Sequence, residues 1–174
     1  MKKCHIIPIF LVLLVVSCNK TKTNADIESL FTYWINKEII YPQKSTYTIF
    51  GSDTIFPDKK HKLSILLYID STGCTQCKTK FFYWKDLINT ISGYTRNKVG
   101  FKVFVCPKKQ FDIRKLLIDN GFSLPVCVDQ NDSFNKLNNL PDDDRFHCFL
   151  LDENNRVILI GNPVQNPKIR DLYI

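Results

Sequence analysis

Two cysteines stand two residues apart, Cys74 and Cys77, in the stretch "YIDSTGCTQCKTK". They follow an apolar run from Leu63 to Ile69 and open a stretch with helical spacing. A thiol at the C-terminal end of a buried strand, where a helix starts, meets unpaired backbone N–H groups and the positive end of the helix dipole. Both stabilise the thiolate, which is the attacking form. The second thiol, one helical turn on, can reach the first. Thiol–disulfide exchange needs this arrangement: Cys74 attacks a disulfide and Cys77 resolves the mixed disulfide. The same spacing also suits a structural disulfide. Zinc sites usually combine two such pairs, and this chain has one.

Whether the pair is oxidised depends on the compartment. The chain starts "MKKCHIIPIFLVLLVVSC". Lys2 and Lys3 form a positive end, and Ile6 to Val16 is an apolar segment too short to span a bilayer as a helix. Val15-Val16-Ser17-Cys18 resembles the lipobox of bacterial lipoproteins. That resemblance implies cleavage before Cys18 and a diacylglyceryl group on its sulfur, with two or three acyl chains holding the protein on a membrane. The expected division is a signal peptide over 1–17, a lipidated tether over 18–25 and one domain over 26–174. Cys4 leaves with the signal and Cys18 is lipidated. Cys74, Cys77, Cys106, Cys127 and Cys148 remain, an odd number in an oxidising compartment, so at least one thiol stays free.

The net charge of +7 falls when Lys2 and Lys3 leave. No basic helix or basic–aromatic ladder of the kind nucleic-acid binding requires is present, so no nucleic-acid partner is expected. At 174 residues, 44% hydrophobic and 24% charged, the chain suits one globular domain.

The elements around the cysteines follow from periodicity. A helix is expected from Asp26 to about Ile40, with Ile27, Leu30, Phe31, Trp34 and Ile35 on one face. Ser45 to Phe50 alternates like a strand, with a turn at Gly51-Ser52-Asp53. Leu63 to Ile69 reads as a central strand. Thr75 to about Ser92 reads as a helix closed by Gly93. In the run Phe81-Phe82-Tyr83-Trp84, four aromatics on a helix point in nearly all directions, so they read as packing. Strands follow over Val99 to Cys106 and Leu124 to Val128, and helices over Phe111 to Asn120 and Asp132 to Leu140. Phe146 to Leu151 and Val157 to Ile160 form an antiparallel hairpin around "DENN", and Asn166 to Ile174 starts a last helix. The alternation predicts an α/β fold with a mixed central sheet flanked by helices.

From about Asp26 to the end the sequence resembles the thioredoxin fold, and most of all the thioredoxin-like lipoproteins of Gram-negative bacteria. These belong with the extracytoplasmic thiol–disulfide reductases and peroxiredoxin-like proteins. The resemblance rests on "LLYIDSTGCTQCK", on a helix and strand ending in "LPVCVD", and on "FLLDENNRVILIGNP". It implies an inserted helix–strand, an N-terminal helical extension, Cys74 as nucleophile and Cys77 as resolving thiol. The chain departs from the pattern at Phe146, where the family carries a proline, at Tyr68, where thioredoxins carry a buried acid, and at Gly73, in place of a tryptophan. By the same resemblance Arg145 would sit beside the cysteines and, with Asp70, tune Cys74. His147 would lie there too, which opens an alternative copper-binding site of Cys74, Cys77 and His147.

The expected function is thiol–disulfide exchange on protein thiols and disulfides by a membrane-anchored oxidoreductase without a cofactor. The expected location is the outer membrane, facing the periplasm of a Gram-negative bacterium, with a possible membrane electron donor. A non-catalytic binding lipoprotein that keeps the fold and a structural disulfide is the alternative.

Overall fold

The structure is a computed structural model and describes residues 24–43, 45–55, 61–72, 78–96, 98–108 and 112–174. The segments expected as signal peptide and, for the most part, as tether lie outside the described residues, as do Gly73 to Cys77. No helix among the described residues is long and apolar enough to cross a membrane.

Strand β3, Leu63–Ile69, has the predicted bounds and is buried at every position after Leu63. A strand covered on both faces must be apolar throughout, which is why its sequence runs without alternation. It pairs in parallel with β4 (Val99–Val105) and antiparallel with β6 (Cys148–Asp152). With β1 (Tyr47–Ile49), β2 (Ser52–Thr54), β5 (Val126–Val128) and β7 (Val157–Ile160) it forms a seven-stranded mixed sheet in the order β2-β1-β5-β4-β3-β6-β7.

Helices cover both faces. On one, α2 (Phe81–Thr95) buries Phe81, Trp84, Leu87 and Ile91 against Ile65, Leu67 and Ile69. Its other leading aromatics, Phe82 and Tyr83, are exposed, so the aromatic run divides into core and surface as helical geometry demands. On the other face, Leu66, Tyr68 and Phe104 meet Phe134 of α4 (Ser133–Asn138), Phe149 of β6 and Trp34 of α1 (Asn24–Trp34). The rings of Phe104 and Phe134 stack at 4.4 Å.

Several boundaries differ from expectation. Helix α1 ends at Trp34, not Ile40, because Asn36 turns with φ 64° and the next residues bond to the strand edge. The Asn36 N–H donates to the Val157 carbonyl (2.9 Å), and the Ile39 N–H to the Asn155 carbonyl (2.9 Å). The β1–β2 turn is one residue earlier than predicted, at Phe50-Gly51, both with positive φ, the geometry of a two-residue hairpin whose twist matches its strands. Gly93 does not close α2. It lies inside a helix that continues to Thr95 and is capped at Arg96 (φ 52°). At the front of that helix, Lys80 at φ 41° separates the helical residues Lys78 and Thr79 from α2, so the helix expected from Thr75 is interrupted at Lys80. Helix α3 (Ile113–Asp119) starts at an Asp112 cap. The last helix, α5 (Pro167–Arg170), is shorter than predicted.

Candidate functional site

The ends of the cysteine segment, Asp70-Ser71-Thr72 before it and Lys78-Thr79 after it, stand at the C-terminal end of β3. Cys74 and Cys77 lie outside the described residues. The residues on either side of the segment are described.

Asp70 is the first residue past β3. Its Oδ1 accepts from the Thr72 N–H (2.9 Å) and Thr72 Oγ1 (2.8 Å), which turns the chain off the strand. The same oxygen accepts from Lys78 Nζ at 2.7 Å, and Lys78 also donates to Thr72 Oγ1 at 2.8 Å. A second carboxylate, Asp144 Oδ2, lies 3.4 Å from Lys78 Nζ. It comes from the 3₁₀ turn Asp144–Phe146 that leads into β6. Burial pushes the Asp70 carboxyl up, but hydrogen bonds from Lys78 and Thr72 outweigh it and hold the pKa below the ordinary value. Burial works against the Lys78 ammonium, and Asp70 and Asp144 overcome it and raise its pKa.

His147 is buried behind this group. Its Nε2 is 2.6 Å from the Pro141 carbonyl oxygen, which can only accept, so Nε2 carries the proton and Nδ1 the lone pair. Nδ1 faces Asp70 Oδ2 at 3.9 Å, beyond hydrogen-bond range. Burial lowers the His147 pKa despite the Pro141 carbonyl and Asp70, so the ring is neutral. No group of three metal-binding side chains occurs among the described residues. The alternative set of Cys74, Cys77 and His147 lies partly outside them.

Arg145 lies in the same 3₁₀ turn as Asp144, and its place relative to the cysteines falls outside the described residues. Its guanidinium is held by Asp143, with Nη2 2.6 Å from Oδ2 and Nε 3.0 Å from Oδ1. It borders a hollow of about 400 Å³ between α1 and the loop after β7, with Ile27, Phe31, Phe146, Asn162 and Pro167.

Tyr68, at the position of the thioredoxin acid, donates its hydroxyl to Asp132 Oδ1. Burial and Asp132 push its pKa upward. Among the described residues three thiols are free and buried: Cys106, Cys127 and Cys148. Burial raises all three, Cys127 to about 11 and Cys148 to about 12, so they are poor nucleophiles at neutral pH. Cys148 Sγ lies 3.6 Å from the Tyr173 hydroxyl, itself buried.

Sequence reasoning named Asp70 and His147 but missed Lys78, Thr72, Asp144 and Asp132. Lys78 had a signal available: it follows Cys77 directly, and an acid and a base then bracket the motif. Asp132 had none, being 64 residues from Tyr68.

No protein-family model matches the chain, and neither does a curated relative. Solved structures do match. One is the thioredoxin domain of a thiol-disulfide oxidoreductase from Bacteroides vulgatus, at TM-score 0.56 and 11% identity, over 80% of this chain and 98% of that one. The chain has a thioredoxin fold. A putative thiol:disulfide interchange protein DsbE from Chlorobium tepidum matches at TM-score 0.55 and 15% identity, over 79% of this chain and 93% of that one. A putative thiol-disulfide oxidoreductase from Bacteroides vulgatus matches at TM-score 0.54 and 18% identity, over 74% and 82%. At these identities the likeness is one of fold.

Proposed function

We propose that the protein is a thiol–disulfide oxidoreductase acting through Cys74 and Cys77 on protein thiols and disulfides. One observation carries this reading: the residues flanking the C-x-x-C segment stand at the C-terminal end of the central strand of a thioredoxin fold, just ahead of α2. The Cys74 thiolate attacks one sulfur of a partner disulfide. That S–S bond breaks, a Cys74–partner disulfide forms, and the departing thiolate takes up a proton. The Cys77 thiolate then attacks the Cys74 sulfur, releases the second partner thiol and leaves a Cys74–Cys77 disulfide. Two electrons pass from the pair to the partner. A dithiol donor, for instance one held in a membrane protein, returns them.

The leader "LLVVSC" supports lipidation at Cys18 and a place on the outer membrane facing the periplasm. Labelled palmitate should enter the protein, and Cys18→Ser should abolish the label and release the chain from membranes. Labelling that survives Cys18→Ser overturns the anchor.

Trapping tests the activity. A Cys77→Ser variant cannot resolve, so it should accumulate disulfide-linked partners that a reductant releases. Cys74→Ser should accumulate none. Equal trapping by both, or by neither, contradicts the assigned roles.

A further inference from the structure

We infer that Lys78 is a positioning residue for the dithiol: its ammonium ties the two ends of the segment together and balances the two carboxylates beside it. The inference rests on the redox reading of Cys74 and Cys77 and adds what sets that pair's poise.

The geometry differs from an ordinary surface pair. Lys115 and Asp119 lie one helical turn apart with side chains 71% and 53% exposed, and such pairs contribute little. Lys78 and Asp70 are 21% and 14% exposed and lie on opposite sides of the cysteine segment. Among the described residues Lys78 has three oxygen neighbours drawn from two parts of the chain: Asp70 Oδ1 and Thr72 Oγ1 from before the segment, and Asp144 Oδ2 from the turn before β6. Thr72 donates to Asp70, which leaves its oxygen lone pairs free to accept from Lys78. The clasp therefore fixes where the segment leaves β3, where it re-enters the helical turn, and how both lie against β6.

It also fixes charge. Two carboxylates and one ammonium sum to one negative charge. The other ionisable groups facing Asp70 add little change of their own: His147 is neutral, and the Tyr68 hydroxyl and Cys106 thiol are held protonated by burial. Asp132, bonded to Tyr68, lies behind them. Arg145 and Asp143 neutralise each other. The reduced pair carries a thiolate and the disulfide carries no charge. Added negative charge therefore favours the disulfide, and removed negative charge favours the dithiol.

This gives a signature that a purely structural clasp lacks. Lys78→Met and Asp70→Asn both open the clasp but change the local charge in opposite senses. The test equilibrates the full chain with glutathione buffers and counts oxidised molecules by alkylation and mass. Lys78→Met should raise the equilibrium constant for disulfide formation by about three- to tenfold, tenfold being about 30 mV. Asp70→Asn should lower it by a similar factor, and Lys78→Arg should stay within about twofold of the wild type. Asp144→Asn, on the exposed rim, should move with Asp70→Asn and keeps the test available if that variant fails to fold. Shifts in the same direction for Lys78→Met and the Asn variants, or no shift, overturn the inference while leaving the redox pair standing. A wild-type chain without a glutathione-responsive disulfide overturns the redox reading itself.

Discussion

The two faces of β3 are equally well buried and chemically unlike. On one, Ile65, Leu67 and Ile69 meet Phe81, Trp84 and Leu87 of α2, and the contact is wholly apolar. On the other, Leu66 and Tyr68 lead toward Asp70, and the neighbours include Cys106 and Phe146, with His147 close behind. Burial removes the α2 side from water by area alone, and this anchors the helix that follows the cysteines. The opposite side carries hydrogen bonds and charge. Placement of the helix and tuning of its neighbours are therefore separable, one to each face.

The largest expected effects should not separate the faces. Trp84→Ala, from the α2 side, and Phe134→Ala, from the other, should each cost about 3–5 kcal/mol in urea unfolding, because both leave a large cavity in a close-packed layer. A cost under about 1 kcal/mol at either would contradict the packing described.

Tyr68→Phe sharpens the contrast. It deletes only the hydroxyl that donates to Asp132, and should cost about 1–2 kcal/mol with no new cavity. Leu67 is the neighbouring residue on the apolar face. Leu67→Met keeps volume and breaks no hydrogen bond, so urea unfolding should register less than about 1.5 kcal/mol.

The polar face should also respond to pH. The His147 pKa is lowered in the folded chain, so below the unfolded value of about 6.5 the unfolded chain binds a proton that the folded chain refuses. Its contribution is complete above that pH and falls away as pH drops through the folded pKa. Asp70, also lowered, keeps its contribution above about 3.8 and loses it further into acid. Urea midpoints should fall from pH 7 to pH 5 in the wild type and be flatter in His147→Gln. An unchanged slope in His147→Gln would assign the titration to another group.

The smallest effect belongs to the exposed part of the aromatic run. Phe82→Ser should change stability by less than about 0.5 kcal/mol, whereas Phe81→Ser, one residue earlier and buried, should be severely destabilising. Comparable losses at both would mean that Phe82 is covered.

What the sequence disclosed tracks how local the cause is. Strand β3 was legible to the residue because full burial forces an unbroken apolar run. The end of α1 was not, since its apolar period continues past Trp34 while the backbone N–H groups of Asn36 and Ile39 donate to Val157 of β7 and to Asn155 in the turn before it, over a hundred residues away. Gly93 was misread because one glycine inside a helix costs only about 1 kcal/mol, too little to end it, whereas the actual stop is Arg96 in a left-handed turn. At the site, spacing singled out Cys74 and Cys77, which lie outside the described residues. The Tyr68–Asp132 bond could not be singled out, because neither residue predicts the other.

The central claim is tested most directly by the reduction potential of the Cys74–Cys77 pair, taken by equilibration against glutathione and dithiothreitol. An exchange pair in this setting should fall between about −120 and −270 mV, and the chain should stay folded when reduced. A potential below roughly −300 mV, with unfolding on reduction, would mark a structural staple and contradict the account.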